Sequence, residues 1–169
     1  SKALRFVWLS LLTLVWGAAS AGTVVFDPTV DTGGGTSLTK NGVTFKITSG
    51  SSTLTPETVD GTTCFHIAKS NQFRFVSDGT YGKITKVRIY YKKNFWVYFF
   101  ELNASSNGGD GWYEYSRAEG LDEFRYSVKS YDVYITKVTI EVQKDISEVA
   151  PAAPVITGNN NFPESTQVP

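Results

Sequence analysis

Methionine is absent from the 169 residues, cysteine and histidine occur once each, and 16 basic residues balance 16 acidic ones. Each shortage removes a class of function. With Cys64 alone there is no intrachain disulfide, so any fold must be held by its core. One Cys and one His leave no zinc site built from those ligands alone, and no metal site is predicted from them. Cys64 and His66 share one strand face at i, i+2. A Cys–His nucleophile also needs a third group to orient the base, so the pair reads as a packed thiol and a hydrogen-bonded imidazole. A neutral charge balance offers no basic surface for nucleic acid or anionic lipid. The longest apolar run, Phe6 to Trp16, is about half the ~20 residues a membrane span requires.

That run has a different use. Lys2 and Arg5 precede it, and Gly17, Ala18, Ala19, Ser20 and Ala21 follow it. A basic start, a short apolar segment and an Ala-x-Ala exit make a secretory signal peptide. Residues 1–21 are therefore expected to be removed after Ala21, giving a secreted, cell-surface or periplasmic protein with no membrane span in its mature form. The chain starts at Ser1 without a Met, so a few residues are expected upstream. Cys64 lies far from the cleavage point and is no lipid-anchor cysteine.

Aromatic residues are plentiful, with nine Tyr, eleven Phe and four Trp. Period-two alternation dominates and no amphipathic helix is evident. "TVVFD", "VTFKITSG", "TCFHIAK", "QFRFVS", "ITKVRIYY", "NFWVYFFEL", "WYEYSR", "EFRYSV" and "YITKVTIEVQ" read as about nine short strands separated by turn residues. "KNG" supplies a tight Asn-Gly turn, Ser70-Asn71 another, and "SRAEGLDEF" the one stretch suited to a helical turn. The expectation is all-β, an antiparallel two-sheet sandwich of jelly-roll or galactose-binding-like form spanning residues 22–145. Its inward set should include Phe45, Ile47, Phe73, Phe75, Val87, Ile89, Val138 and Ile140.

The segment I-T-K-V occurs at Ile84 and again at Ile135. Alternation places Thr85, Val87 and Ile89 on one face, and Thr136, Val138 and Ile140 on the equivalent face, with Lys86 and Lys137 outward. Two copies are too few for a solenoid, so the echo is read as two half-buried strands. After Gln143 the character changes: four of the six prolines lie beyond it, along with an Asn cluster. Residues 146–169 read as a Pro-rich linker, "APAAP", running into the start of a further β module. The chain then reads as the front end of a longer protein whose downstream domains are its partners.

The order "TKNGVTFKITSGSS", "FHIAKSNQFRFVS", "KITKVRIYY", "GWYEYS" and "DVYITKVTIEV" resembles the N-terminal β-sandwich accessory modules of secreted and cell-surface Bacteroidetes proteins. "APAAPVITGNNNFPESTQV" is similar to the opening of a chitobiase/β-hexosaminidase C-terminal-like domain, an immunoglobulin-like module. The first resemblance covers residues 38–143 and the second about 20 residues. Together they imply a non-catalytic accessory domain in carbohydrate-degrading or adhesive proteins, and they carry over no catalytic residue.

No catalytic residue is read from the chain itself either. Glu114, Glu119, Asp122 and Glu123 cluster in sequence as a glycosidase pair would need, but in a polar hairpin that suits a solvated face. "NGGDG" matches no phosphate-binding or EF-hand loop. Asp27 and Asp31 flank a loop and are the one candidate pair for a structural Ca²⁺; no other cofactor is expected. Aromatic area is the resource in excess. In "FWVYFFEL" alternation puts Phe95, Val97 and Phe99 on one face and Trp96, Tyr98 and Phe100 on the other. One set should enter the core, and the second, if it faces water, is a stacking platform beside Arg88 and Tyr90 of the preceding strand. Trp112, Tyr113 and Tyr115 form a second candidate patch. Two readings stay open: a carbohydrate-binding accessory module for polysaccharide or other glycan, and a structural or adhesive spacer with no small ligand.

Overall fold

A computed structural model describes residues 21–109 and 111–146; most of the segment expected to be a signal peptide, and the tail beyond Ile146, lie outside them. The chain is all-β. Twelve strands run β1 (Gly22–Phe26), β2 (Ser37–Lys40), β3 (Val43–Ser49), β4 (Pro56–Val59), β5 (Thr62–Ile67), β6 (Gln72–Ser77), β7 (Ile84–Lys92), β8 (Trp96–Phe99), β9 (Ala104–Asn107), β10 (Trp112–Leu121), β11 (Glu123–Val128) and β12 (Val133–Val142). A 3₁₀ turn, Phe100–Leu102, follows β8.

Two antiparallel sheets pack face to face. One has the order β10-β7-β12-β5-β4, with β1 pairing the C-terminal half of β12 alongside β5; the other runs β2-β3-β6-β11-β8-β9. The loops obey simple turn chemistry. Asn41-Gly42 and Asp60-Gly61 all have positive φ, as a two-residue hairpin whose twist matches its strands demands. Pro56 opens β4 at a sheet edge, where a missing N–H breaks no ladder. The stretch from Ser116 to Leu121, expected to hold a helical turn, is strand, bulged against β7. Short β2, β4 and β9 were not foreseen by alternation.

The core is a stack of rings between the sheets. Phe26, Phe45, Phe65, Phe73, Phe75, Phe99, Phe124 and Tyr126 are all fully buried. Phe73 and Phe99 lie nearly parallel to Tyr126, with centroids 4.9 and 4.8 Å away. Phe45, Phe73, Phe75, Val87, Ile89, Val138 and Ile140 are inward as expected, while Ile47 is half-buried against the core margin. Ile146 also packs against this core, so its contacts extend one residue past the expected limit at Asp145.

The two I-T-K-V segments prove to be neighbours. β7 and β12 pair antiparallel, with Ile89 opposite Val138 and Val87 opposite Ile140. The inward assignment of the threonines is corrected. Thr136 is skipped in the ladder between Ile135 and Lys137, and Thr85 between Ile84 and Lys86. Each is the extra residue of a β-bulge, which shifts parity by one. Ile84 and Ile135 therefore join Val87 and Val138 in the core although they stand three positions away. Both threonines are half-buried outside it.

Candidate functional site

At one end of the sandwich the turn after β7, the loop after β9, the turn after β11 and the turn after β5 converge. They frame two adjoining depressions of about 360 and 320 Å³ that share Lys93, Asn94 and Tyr131. The first adds Lys69, Ser130, Asp132 and Tyr134; the second adds Tyr91, Phe95, Trp96, Gly108 and Gly109. Lys93 adopts φ +68°, an uncommon conformation for a side-chain-bearing residue and one that gathers at binding sites. The Lys129 N–H donates to the Trp96 carbonyl, fastening the turn that carries Tyr131 to the strand that carries Trp96.

The floor is aromatic. Tyr91 stacks on Phe95 at 4.7 Å, and Phe95 on Tyr113 at 5.6 Å. The Tyr91 hydroxyl is buried and among the described residues meets no hydrogen-bond partner. A Cβ on Gly108 would lie 2.2 Å from that oxygen, so the loop can approach the ring only with glycine there.

The walls present two exposed rings. Trp96 is 39% and Tyr131 51% exposed, and among the described residues neither ring has an aromatic or cationic partner. Tyr134 is backed by His66, whose ring stacks on it at 4.7 Å. His66 Nε2 lies 2.8 Å from Asp132 Oδ2 and Nδ1 lies 3.0 Å from Glu57 Oε2. Asp132 Oδ1 accepts the Lys69 N–H at 2.9 Å. Burial, the largest single influence, pulls the His66 pKa down, but the hydrogen bonds to Asp132 and Glu57 outweigh it and leave it raised. Asp132 is lowered, first by the Lys69 amide and then by His66.

The sequence-derived candidates divide among three places. Trp96, Tyr98 and Phe100 are on the outer side of β8 and its following turn, but only Trp96 is free. Tyr98 bonds Asn103 through its hydroxyl and carries Lys129 over its ring at 5.2 Å; Phe100 meets the edge of Tyr98 and carries Arg125 at 5.3 Å. Arg88 and Tyr90 are not beside them, because consecutive strands β7 and β8 belong to opposite sheets. They join Trp112 on the outer face of the other sheet. There Arg88, held by Glu114 at 2.5 Å, lies 4.4 Å over the Trp112 ring, and Lys137 lies 4.5 Å over Tyr90. Trp112 is as exposed as Trp96, yet one of its faces is taken by a guanidinium. Tyr113 and Tyr115 leave this patch altogether, since they alternate inward and pack on Phe95 and Phe99.

The remaining polar candidates are engaged in pairs. Glu114, Glu119 and Glu123 each hold an arginine: Arg88, Arg117 and Arg74. Asp31 takes Lys40 Nζ at 3.0 Å and Asp27 accepts from the Thr29 N–H and hydroxyl. No group of three or more His, Cys, Asp or Glu among the described residues has the geometry to hold a metal ion. Cys64 is fully buried, and desolvation raises its pKa. Tyr131, Tyr134, Lys93 and Asn94 were missed by alternation, because two separate turns and the start of β12 bring them together. The one signal for them was an exposed-type Tyr inside the polar turn "KSYD".

Among the described residues no helix is long and apolar enough to cross a membrane. No family profile and no curated protein matches the chain, so the Bacteroidetes and chitobiase-like resemblances gain nothing from those comparisons. Among solved structures, one described as "The complexity of the Ruminococcus flavefaciens cellulosome reflects an expansion in glycan recognition" aligns over 76% of this chain and 99% of its own, at 14% identity and a TM-score of 0.47. A likeness at that level carries no argument about what this chain binds.

Proposed function

We propose that this chain is a non-catalytic, exported carbohydrate-binding sandwich whose glycan site is the cleft between Trp96 and Tyr131. The observation that supports it is the pair of exposed rings, unpartnered among the described residues, that line two adjoining depressions also offering Asn94, Ser130, Lys93 and Asp132. Sugar rings have C–H faces that an aromatic ring can desolvate and hydroxyls that amide, ammonium and carboxylate groups can bond. A spacer has no need to keep two such rings wet. Export and cell-surface display rest on the N-terminal segment, and glycan-rich surroundings are where an exported module of this kind would act.

Affinity electrophoresis and a glycan array with the exported protein test the reading. Trp96→Ala and Tyr131→Ala should each weaken retention about fivefold, from the roughly 1 kcal/mol carried by one aromatic contact. Trp112→Ala should leave it unchanged. Retention lost only with Trp112→Ala moves the site to the other sheet. No retention on any plant, host or microbial polysaccharide returns the case to the spacer.

A further inference from the structure

His66 is the only histidine, and it stands directly behind the cleft. Its ring supports one cleft wall by stacking on Tyr134 and anchors another by bonding Asp132, while Glu57 holds its far nitrogen. Three strands and a turn meet on this one ring: β4 through Glu57, β5 through His66 itself, β12 through Tyr134, and the turn before β12 through Asp132.

The donor count decides what this arrangement does. Two carboxylate oxygens, acceptors only, face the two ring nitrogens. An imidazolium donates at both; a neutral imidazole has one N–H and must leave one carboxylate against a lone pair. The other charged groups around the ring do not relieve the deficit. Lys93 sits 5.3 Å over the far ring, Tyr134, and is paired with Asp60 at 2.7 Å. Lys92 is spent on Val59, Asp60 and Thr62. Lys69 reaches Asp132 through its backbone N–H, and Cys64, two residues back on the same face, is buried.

We infer that His66 is a positioning residue for the cleft: charged, it pins Asp132 and Tyr134 in their places, and neutral, it releases Asp132 toward the cleft. The inference rests on the glycan reading for its consequence but not for its geometry. Ligand should bind the pinned form more tightly, so affinity should fall as pH rises through the folded-state pKa of His66. By reciprocity a saturating glycan should raise that pKa.

The single histidine makes the test clean. NMR titration of the whole protein from pH 5 to 8.5 follows the His66 ring, the Lys69 amide and the Tyr131 and Tyr134 rings. Glycan affinity is measured across the same range on wild type, His66→Gln and Glu57→Gln. The expected result is one shared midpoint for all four signals and at least about a fivefold loss of affinity across it. That midpoint should move down in Glu57→Gln, which lies outside the cleft, and the pH dependence should vanish in His66→Gln. Cleft signals that stay still while the His66 ring titrates overturn the inference, even if glycan binds well. Cleft signals that move with His66 while no glycan binds at any pH support the positioning role and count against the glycan reading alone.

Discussion

Replacing Tyr126 by Phe should stabilise this protein. The Tyr126 ring lies at the centre of the core, parallel to Phe73 and Phe99 and edge-on to Phe75. Its hydroxyl is buried with no hydrogen-bond partner among the described residues, and burial pushes its pKa well above the ordinary phenol value. An unsatisfied buried hydroxyl costs about 1–3 kcal/mol. Removing one oxygen leaves a void of roughly 10 Å³, costing about 0.2–0.3 kcal/mol at 24 cal/mol per Å³. All three ring contacts survive the change. The balance is a gain of about 1–2 kcal/mol, or roughly 4–8 °C in Tm for a domain of this length. Urea denaturation and calorimetry measure both quantities, and an unchanged m-value would locate the effect in the native state. Tyr126→Ala serves as the opposite control, with an expected cost of about 3–5 kcal/mol. If Tyr126→Phe instead loses about 1 kcal/mol or more, the hydroxyl has a partner, such as an internal water, and the reasoning fails.

Other perturbations have equally definite outcomes. Deleting Thr136 should be tolerated, because Ile135 and Val138 then stand two positions apart and a regular strand turns both inward; the cost should be about 0.5–3 kcal/mol in the same denaturation assay, and Thr136→Ala, which keeps the bulge, should cost under about 1 kcal/mol. The raised His66 pKa stabilises the fold below pH 6.5 and the benefit is lost as pH rises through it, whereas the lowered Asp132 contributes above its ordinary 3.8 and fails only in stronger acid. Between pH 5.5 and 8 the wild type should therefore lose a few degrees of Tm, consistent with a half-exposed ion pair worth about 1 kcal/mol or less, and His66→Gln should not. Removing residues 147–169 should leave Tm within about 3 °C, since a Pro-rich linker buries little apolar area; removing Ile146 as well should lower it further, as that side chain packs on the core.

Much of the fold was legible because burial and side-chain parity are coupled in a strand. Phe45, Phe73, Phe75, Val87 and Ile140 follow directly from alternation. The same rule misplaced Thr85 and Thr136, since a period of two cannot register an inserted residue. It also missed β2, β4 and β9, each four mostly polar residues held by pairing and not by apolar spacing. The candidate site was harder to read. Arg88 and Tyr90 precede Trp96 closely in sequence, yet nothing in the chain signals that β7 and β8 join different sheets. Tyr131 and Asn94 look like ordinary turn residues until the turns meet. The aromatic alternation identified Trp96 but not that Lys129 and Arg125 cover the rings beside it.

The paired bulges bear on how the chain finds this fold. β7 and β12 are far apart in sequence, and β5, β1 and β10 pair along their outer edges. Sliding one strand past the other by two residues preserves every inward and outward face, so hydrophobicity alone would tolerate that error. A bulge does not slide. Thr85 and Thr136 sit near opposite ends of the ladder, and any shift forces both extra residues against regular pairs at once. The strand pair is keyed like a lock with two wards, and the I-T-K-V echo is where the key is cut.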